Sequence, residues 1–203
     1  MKNYLIASCM ILGIALSSCF QKALSPREYF NWAKSKESGL QQAHSGNGVN
    51  FNLKFQPVDL IIANEIKNEI SSEADYERRQ RELGNLAYFI LKIESGAQDL
   101  LMHNLQDEQE YVRRVNYYSL DFQQNIIAVA GTDTIPCVLY QFENSYGVAP
   151  YINISLAFPG QFMEANKDQP VQVLINDQVF GNGILKFDYE QDTFHDLPEL
   201  TIE

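Results

Sequence analysis

Residues 49–56 read Val49-Asn50-Phe51-Asn52-Leu53-Lys54-Phe55-Gln56, with apolar and polar side chains alternating at every position. This period of two is typical of a β-strand that buries one face and leaves the other face in solvent. Pro57 follows, and its lack of an amide hydrogen favours an end to the strand at this point. The sequence therefore predicts a strand at 49–56 that contributes one face to a hydrophobic core.

Helical and strand patterns surround this strand between residues 25 and 118. Ser25-Pro26-Arg27-Glu28 predicts a helix start, because it combines a serine cap, a proline at the first helical position and a capping-box glutamate. That helix is expected to reach about Lys36, and the polar, glycine-bearing segment 35–50 is expected to be a loop. Charge and apolar spacing predict further helices at 58–70, 73–83 and 107–118. A second strand, apolar on both faces and hence central in a sheet, is expected at 86–94.

From residue 119 onward the pattern becomes that of a β-rich segment. Short apolar runs separated by turn residues predict an antiparallel sheet or sandwich. The expected strands lie at 120–130, 134–142, 150–158, 171–175 and 184–190. We therefore expect an α+β fold, with helices and two strands in 25–118 and a β-rich half in 119–203. The two segments either form separate units or share one core.

The N-terminal segment has the composition of an export signal. Lys2 precedes an apolar run from Leu5 to Leu16, which is too short to span a bilayer because a spanning helix takes roughly 20 residues. Leu16-Ser17-Ser18-Cys19 follows, and this tetrapeptide resembles the lipobox of bacterial lipoprotein signal peptides. The resemblance implies cleavage before Cys19 and attachment of acyl chains to that residue. An ordinary secretory signal with a chance cysteine and a buried apolar helix are the alternatives.

The lipobox resemblance implies a signal peptide at 1–18 and a lipid-anchored tether at 19–24. Each buried methylene of an acyl chain adds about 0.8 kcal/mol to membrane binding, so several chains on one residue anchor a protein durably. Residues 20–24 extend over roughly 17 Å, which would hold the folded part close to its membrane. An aspartate directly after the lipidated cysteine resembles the inner-membrane retention signal of some bacteria. Phe20 occupies this position here, so the sequence favours the outer membrane. Residues 1–60, through Glu37-Ser38-Gly39-Leu40 and the strand at 49–56, also resemble uncharacterised lipoproteins of Gram-negative envelopes.

The charge balance excludes one class of function. The chain carries 15 Lys and Arg residues against 26 Asp and Glu residues, a formal net charge of −11. Such a surface repels nucleic acid and anionic lipid headgroups, so a nucleic-acid partner is excluded.

Of the three cysteines, Cys9 would leave with the signal and Cys19 would carry the lipid. Cys137 would then have no disulfide partner within the chain, and its apolar surroundings predict a buried thiol.

Patterns for catalysis and metal binding are missing from the sequence. The histidines His44, His103 and His195 have no ligand partner at a metal-binding spacing. The acidic string that starts at Asp188 places Thr193 where a calcium loop requires glycine. The chain has no Gly-x-Ser-x-Gly elbow, and Gly181-Asn182-Gly183 is typical of a hairpin turn. We therefore predict no catalytic residue, no metal and no cofactor.

One aromatic cluster is a candidate for partner recognition. Tyr140, Phe142, Tyr146 and Tyr151 flank a turn at 144–147, and exposed tyrosines beside a loop suit contact with carbohydrate or protein. The alternative is that these rings pack between sheets. Tyr117 and Tyr118 form a second candidate with the same alternative.

Three functions follow as hypotheses. The first is a non-enzymatic envelope lipoprotein, anchored by its lipid, that binds an envelope protein or glycan. The second is an envelope hydrolase of glycan or peptide, which a pocket with two convergent carboxylates would support. The third is a structural subunit that exchanges strands, which an uncovered edge strand would support.

Overall fold

The structure is a computed structural model that describes residues 23–65, 72–96, 99–144 and 149–202. Within these ranges the fold is mixed α/β with two antiparallel sheets and one short parallel strand pair, in agreement with the α+β class. The five α-helices of these ranges are α1 (Pro26–Lys34), α2 (Val58–Glu65), α3 (Glu73–Leu83), α4 (Glu108–Asn116) and α5 (Gly160–Ala165). The strands are β1 (Ala23–Leu24), β2 (Gln41–Gly46), β3 (Val49–Gln56), β4 (Leu86–Ser95), β5 (Ile126–Ala130), β6 (Asp133–Pro136), β7 (Leu139–Glu143), β8 (Tyr151–Pro159), β9 (Val171–Asp177), β10 (Gly183–Tyr189) and β11 (Glu199–Leu200).

Helix α1 begins where the capping box predicts it. The backbone N–H of Ser25 donates to the carboxylate of Glu28 at 3.0 Å, and the Ser25 hydroxyl donates to the same oxygen at 2.7 Å. Pro26 occupies the first helical position, where its missing amide hydrogen is not needed. The helix buries Tyr29 and Ala33, which fixes it against the core.

The main sheet has the strand order β2-β3-β4-β8-β7, and every neighbouring pair is antiparallel. The prediction of a one-faced strand at 49–56 is confirmed, since Val49, Phe51, Leu53 and Phe55 are buried in β3. The strand predicted at 86–94 is β4, which lies at the centre of the sheet. β4 pairs along its length with β8, so the sheet includes strands from both sides of residue 119.

The loop predicted at 35–50 is wrong, because this segment contains the strand β2. β2 is an edge strand of the main sheet, and all six of its residues keep solvent exposure. An edge strand is held by its backbone hydrogen bonds to one neighbour and needs no alternation of apolar side chains. The pattern that identified β3 was therefore absent from β2.

The strand predicted at 120–130 is wrong over its first half. Residues Tyr117–Asp121 form a π-helical turn and Phe122–Asn125 a 3₁₀ turn, and only 126–130 form a strand. Tyr118 and Phe122 are four residues apart and fully buried, with ring centroids separated by 5.0 Å. This four-residue spacing places both rings on one side of a helix. It would also place them on one side of a strand, so the spacing alone does not distinguish the two structures.

The strand predicted at 134–142 divides into β6 and β7, which belong to different sheets. β6 pairs with β5 in a second antiparallel sheet of order β10-β9-β5-β6. At the crossing, the N–H of Cys137 donates to Ile126 and the N–H of Val138 donates to Ala157. Two successive amides therefore bond to two different sheets.

The two sheets share one core. The Tyr189 hydroxyl on β10 donates to the carbonyl of Leu53 on β3 at 3.0 Å, and the Tyr189 ring lies 5.6 Å from the Phe89 ring on β4. The edge strands also meet, because the His44 ring on β2 is hydrogen bonded through Nε2 to the carbonyl of Lys186 on β10. The second sheet therefore covers one side of the main sheet, and the other side of the main sheet faces away from this core.

Candidate functional site

The side of the main sheet that faces away from the core is a polar surface, which we call the outer face. The strand registers place its side chains in rows that cross the sheet. One row runs from Gln41 through Lys54, Ile90 and Ser155 to Gln141. The adjacent rows contribute the other members of this face: Ala43, Asn52, Lys92, Asn153 and Glu143 in one, Ser45, Asn50, Glu94 and Tyr151 in the next, and Gln56, Tyr88, Ala157 and Leu139 on the other side.

Amides are the commonest side chains of the outer face, with six among its eighteen residues. Every β3 and β4 side chain on this side of the sheet is partly or fully exposed, whereas the alternate positions are buried. The centre of the surface is a depression of about 340 Å³. Its wall consists of Gln41, Asn52, Lys54, Gln56, Ile90, Lys92, Glu94 and Asn153. Because all but one of these side chains donate or accept hydrogen bonds, the depression suits a ligand rich in polar groups.

Two lysines on the outer face differ in their electrostatic surroundings. The Lys92 ammonium donates to the Glu94 carboxylate and lies 4.6 Å from the centre of the Tyr151 ring, so it is held in place by both. Partial burial lowers the pKa of Lys54, and the neighbouring Lys34 ammonium adds to this effect. Among the described residues, Lys54 has no ion-pair partner within 4.0 Å. Of the two lysines that line the depression, Lys54 is thus the one whose ammonium is not paired with a carboxylate of the described residues.

A second concave region, which we call the Asp59 cleft, lies at one end of the main sheet. It has a volume of about 260 Å³ and is formed where α1, α2 and α5 approach the ends of β3 and β4. Its polar residues are Tyr29, Asp59, Gln80, Glu164 and His195. Its apolar residues include Phe55, Val58, Leu86, Met163, Phe194 and Leu197.

Asp59 is held inside this cleft by three donors. One carboxylate oxygen accepts from the Tyr76 hydroxyl at 3.0 Å and from the Gln80 amide, and the other accepts from the N–H of Leu200 at 3.1 Å. Burial raises the pKa of Asp59 above its ordinary value, and these hydrogen bonds oppose that shift. The Tyr76 pKa is raised to about 12, first by burial and then by the Asp59 charge, so Tyr76 remains a donor.

The raised pKa of Asp59 predicts a pH dependence of stability. In the folded state the carboxyl holds its proton more tightly than in the unfolded chain, where an aspartate has a pKa of about 3.9. The folded state therefore binds more protons in this window, and the contribution of Asp59 to stability falls as pH rises from about 4 through the folded pKa. We expect the free energy of unfolding of wild type minus that of Asp59→Asn to decrease over this range and then level off. Urea unfolding of both proteins from pH 4 to 7 measures this difference, and a difference that rises with pH would contradict it.

The structure separates the aromatic residues that the sequence groups around the turn at 144–147. Tyr140 and Phe142 lie on the core side of β7: the Tyr140 hydroxyl donates to the carbonyl of Tyr118, and the Phe142 ring stacks on Tyr118 at 5.8 Å. Tyr151 lies on the outer face. Tyr146 and Cys19 lie outside the described residues. Tyr140 and Phe142 thus follow the alternative of packing inside, and Tyr151 is the one member of the cluster within the described residues that lies on the outer face.

The second candidate pair, Tyr117 and Tyr118, also lies against the core. Tyr118 is fully buried, and Tyr117 is partly buried with its ring 5.5 Å from that of Tyr118. The prediction of a buried Cys137 thiol is confirmed, since the thiol donates to the carbonyl of Leu139 at 2.9 Å. Burial raises the pKa of Cys137 to about 11, so the reactive thiolate is rare at neutral pH.

Within residues 23–65, 72–96, 99–144 and 149–202, no three His, Cys, Asp or Glu side chains are grouped so that they would hold a metal ion. No helix in this part of the chain has the length and apolarity that a membrane crossing requires. The chain matches no family model, no curated protein and no solved structure.

The sequence predicts the residues of the outer face better than it predicts those of the Asp59 cleft. Three amides of the outer face, Asn50, Asn52 and Gln56, belong to the polar half of the alternation at 49–56, so their position on one side of a sheet was predictable. The Asp59 cleft combines residues from α1, α2, α3, α5 and the segment after β10, which are far apart in the chain. No local pattern marks such a combination.

Proposed function

We propose that this protein is a lipid-anchored lipoprotein of the cell envelope, attached to the outer membrane through Cys19, and that it binds a glycan through the outer face. In this proposal the protein is a non-enzymatic binding module. The observation that carries the proposal is the amide-lined depression of about 340 Å³ at the centre of the outer face. Planar amides donate and accept hydrogen bonds at once, which matches the hydroxyl groups of a sugar chain.

The composition of the depression favours a glycan over a protein partner. The buried centre of a protein–protein interface is depleted of charged residues and enriched in aromatic and apolar side chains. Here Ile90 is the only apolar side chain in the wall of the depression, and Tyr88 and Tyr151 lie in rows on either side of it. Aromatic rings at the edge of a polar groove supply apolar area against sugar rings while the amides contact the hydroxyls.

The position of β1 supports the proposed anchoring. β1 begins at Ala23, so only 20–22 separate the proposed lipid on Cys19 from the first described strand. Three extended residues reach roughly 10 Å. The folded part would therefore lie against the membrane surface, within reach of membrane-attached glycans.

The hydrolase and strand-exchange hypotheses have weaker support. The Asp59 cleft does contain two carboxylates, Asp59 and Glu164, but Asp59 is occupied by three donors and the Glu164 side chain is 68% exposed. Strand exchange requires an uncovered edge strand. β2 contacts β10 through His44, and β6 has four residues and ends at Pro136. β7, the other edge of the main sheet, has five residues and is tied to the core by the Tyr140 hydroxyl, which donates to the carbonyl of Tyr118.

Glycan binding is tested by removing amides from the outer face. We expect wild-type protein to bind at least one polysaccharide in a panel extracted from its own cell envelope, and Asn52→Ala and Asn153→Ala to weaken that binding by roughly tenfold each. Isothermal titration measures the affinity, and thermal unfolding checks that the variants fold. Gln191→Ala removes an exposed amide outside the main sheet and is the matched control.

Two outcomes would contradict glycan binding. One is equal affinity of wild type and both outer-face variants. The other is failure of every polysaccharide together with recovery, by crosslinking, of a protein that the outer-face variants no longer capture. In that case the outer face would bind a protein.

Lipid anchoring is tested separately with two cysteine variants. Cells grown with labelled palmitate should yield labelled wild-type protein in the outer-membrane fraction. Cys19→Ala should carry no label, because it lacks the thiol that the lipobox presents for acylation. Cys9→Ala is the matched control, since Cys9 lies within the segment that would be cleaved, and it should remain labelled. Unlabelled wild-type protein, or label retained in Cys19→Ala, would overturn the proposed anchor.

A further inference from the structure

We propose that the glycan bound by the outer face is acidic, and that one carboxylate or phosphodiester group of the sugar chain pairs with the ammonium of Lys54. The choice of an acidic glycan rests on the proposed glycan binding and narrows the class of partner. The observation that carries it is a lysine in the wall of the depression whose ammonium has no carboxylate partner among the described residues.

The immediate neighbours of Lys54 on the outer face are uncharged. Its partners across the sheet are Gln41 on β2 and Ile90 on β4. Along β3, the adjacent residues on the same side are Asn52 and Gln56. None of these four side chains neutralises the ammonium, so its charge is available to a group that enters the depression.

The carboxylates of the outer face are distant from Lys54. Glu94 lies opposite Asn50, which is four residues along β3 from Lys54, or roughly 13 Å at the rise of a strand. Its carboxylate already accepts from the Lys92 ammonium. Glu143 lies on β7, three strands from β3, or roughly 14 Å across the sheet. The wall of the depression, with two lysines and one glutamate, therefore has a net charge of +1.

The acidity of the whole chain does not prevent an anion from binding at this position. The formal net charge is −11, but at physiological ionic strength the Debye length is about 8 Å. Exposed charges farther away than this are largely screened, and both carboxylates of the outer face are farther from Lys54. The local charge therefore decides which ligand the depression accepts, and that charge is positive.

A second ammonium group acts on Lys54. Partial burial lowers the pKa of Lys54, and the charge of Lys34, an exposed residue in the last turn of α1, lowers it further. Both effects disfavour the charged form of Lys54 in the free protein. An anion paired with Lys54 would favour the charged form and would offset the repulsion between the two lysines.

The amides beside Lys54 would orient the anionic group. Among the described residues, the side-chain amides of Gln41, Asn52 and Gln56 form no hydrogen bond with the protein. A carboxylate or a phosphodiester has two acceptor oxygens, so one can accept from Lys54 while the other accepts from an amide. Because the depression has one uncompensated cation, it would take one anionic group, and the other amides would contact neutral sugar units beside it. We therefore expect a glycan in which acidic units alternate with neutral units.

The charge of the glycan is tested with polysaccharides extracted from the protein's own cell envelope and separated by anion exchange into a neutral and an acidic fraction. Each fraction is titrated into the purified full-length protein, and isothermal titration measures the affinity. We expect wild type to bind the acidic fraction at least tenfold more tightly than the neutral fraction.

Three variants assign this preference to Lys54. Lys54→Gln keeps a hydrogen-bond donor but removes the charge, and it should bind the acidic fraction about tenfold more weakly than wild type does. Lys54→Arg keeps the charge and should restore most of the affinity. Lys186→Gln removes an exposed lysine on β10 in the second sheet, so it is the matched control and should bind as wild type does.

Chemical reduction of the carboxyl groups identifies the anionic group. Reduction turns uronic acids of the acidic fraction into neutral sugars and leaves the chain intact. If the group is a carboxylate, wild type and Lys54→Gln should bind the reduced polysaccharide equally, whereas Asn52→Ala should still bind it more weakly because the amide contacts remain. A difference between wild type and Lys54→Gln that survives reduction would identify a phosphodiester.

Two results would overturn the acidic glycan and leave glycan binding intact. One is that wild type binds the neutral fraction as tightly as the acidic fraction, and the other is that Lys54→Gln binds the acidic fraction as wild type does. In both cases Asn52→Ala would still weaken binding. Failure of wild type to bind either fraction would overturn glycan binding and the acidic glycan together. Thermal unfolding of each variant confirms that a loss of binding does not come from loss of the fold.

Discussion

Phe89→Ala is expected to lower the free energy of unfolding by about 3–5 kcal/mol, the usual range for truncating a buried phenylalanine. Phe89 lies on the central strand β4 and is 1% exposed. Its ring centroid lies 5.2 Å from that of Phe55, 5.8 Å from that of Phe158 and 5.6 Å from that of Tyr189. These rings come from β3, β8 and β10, so the cavity would open where the two sheets meet.

Urea unfolding at neutral pH measures this loss, which is a large fraction of the 5–15 kcal/mol that typical domains possess. Leu120→Ala is the control, because Leu120 is 72% exposed and its truncation should change the free energy of unfolding by less than about 0.5 kcal/mol. Phe89→Leu should fall between the two. A loss below about 1 kcal/mol in Phe89→Ala would show that the two sheets do not share this aromatic contact.

Asp177→Ala is expected to lower the free energy of unfolding by about 2–4 kcal/mol. Asp177 ends β9, is 2% exposed, and accepts four hydrogen bonds within the turn that leads to β10. One carboxylate oxygen accepts from the N–H groups of Val179 and Phe180 at 3.1 Å. The other accepts from the N–H of Asn182 at 3.1 Å and from its side-chain amide at 2.8 Å. Removing the carboxylate would leave these partly buried donors without an acceptor.

Asp177→Asn distinguishes hydrogen bonding from side-chain volume. Asparagine keeps one acceptor oxygen but places an NH₂ group where the second oxygen accepted from Asn182, so about half of the loss should remain. Asp133→Ala, at an exposed position in β6, is the control and should stay within about 0.5 kcal/mol of wild type. Equal stability of Asp177→Ala and Asp133→Ala in urea unfolding would contradict this account of the turn.

The sequence predicted those elements whose burial is visible in a local pattern. β3 and β4 were predictable because one carries a period-two alternation and the other is apolar on both faces. β2 was missed because a polar edge strand is specified by the neighbour to which it bonds. The short apolar run at 120–130 predicts a strand throughout, whereas residues up to Asn125 complete helical turns, because Tyr118 and Phe122 pack together in the core. Only the tertiary packing of the two rings distinguishes the two structures.

The candidate sites were predictable to different degrees for a related reason. The polar residues that β3 contributes to the outer face follow from strand periodicity once a strand at 49–56 is expected. Their assembly into one surface depends on the strand order β2-β3-β4-β8-β7, which joins residues more than a hundred positions apart. The tyrosines near 144–147 were grouped by sequence distance, whereas the alternation of β7 directs Tyr140 and Phe142 to the core.

The pairing of β1 with β11 has a mechanical consequence. Ala23–Leu24 lies parallel to Glu199–Leu200, and the N–H of Thr201 donates to the carbonyl of Leu24 at 2.8 Å. With an anchor at Cys19, a pulling force on the domain would reach this two-stranded clasp before it reached the main sheet. Because the clasp is two residues long, it would open first and lengthen the connection to the membrane, and the sheets would keep their structure. The pairing of β1 with β11 would thus be the first contact to break when the anchor is pulled.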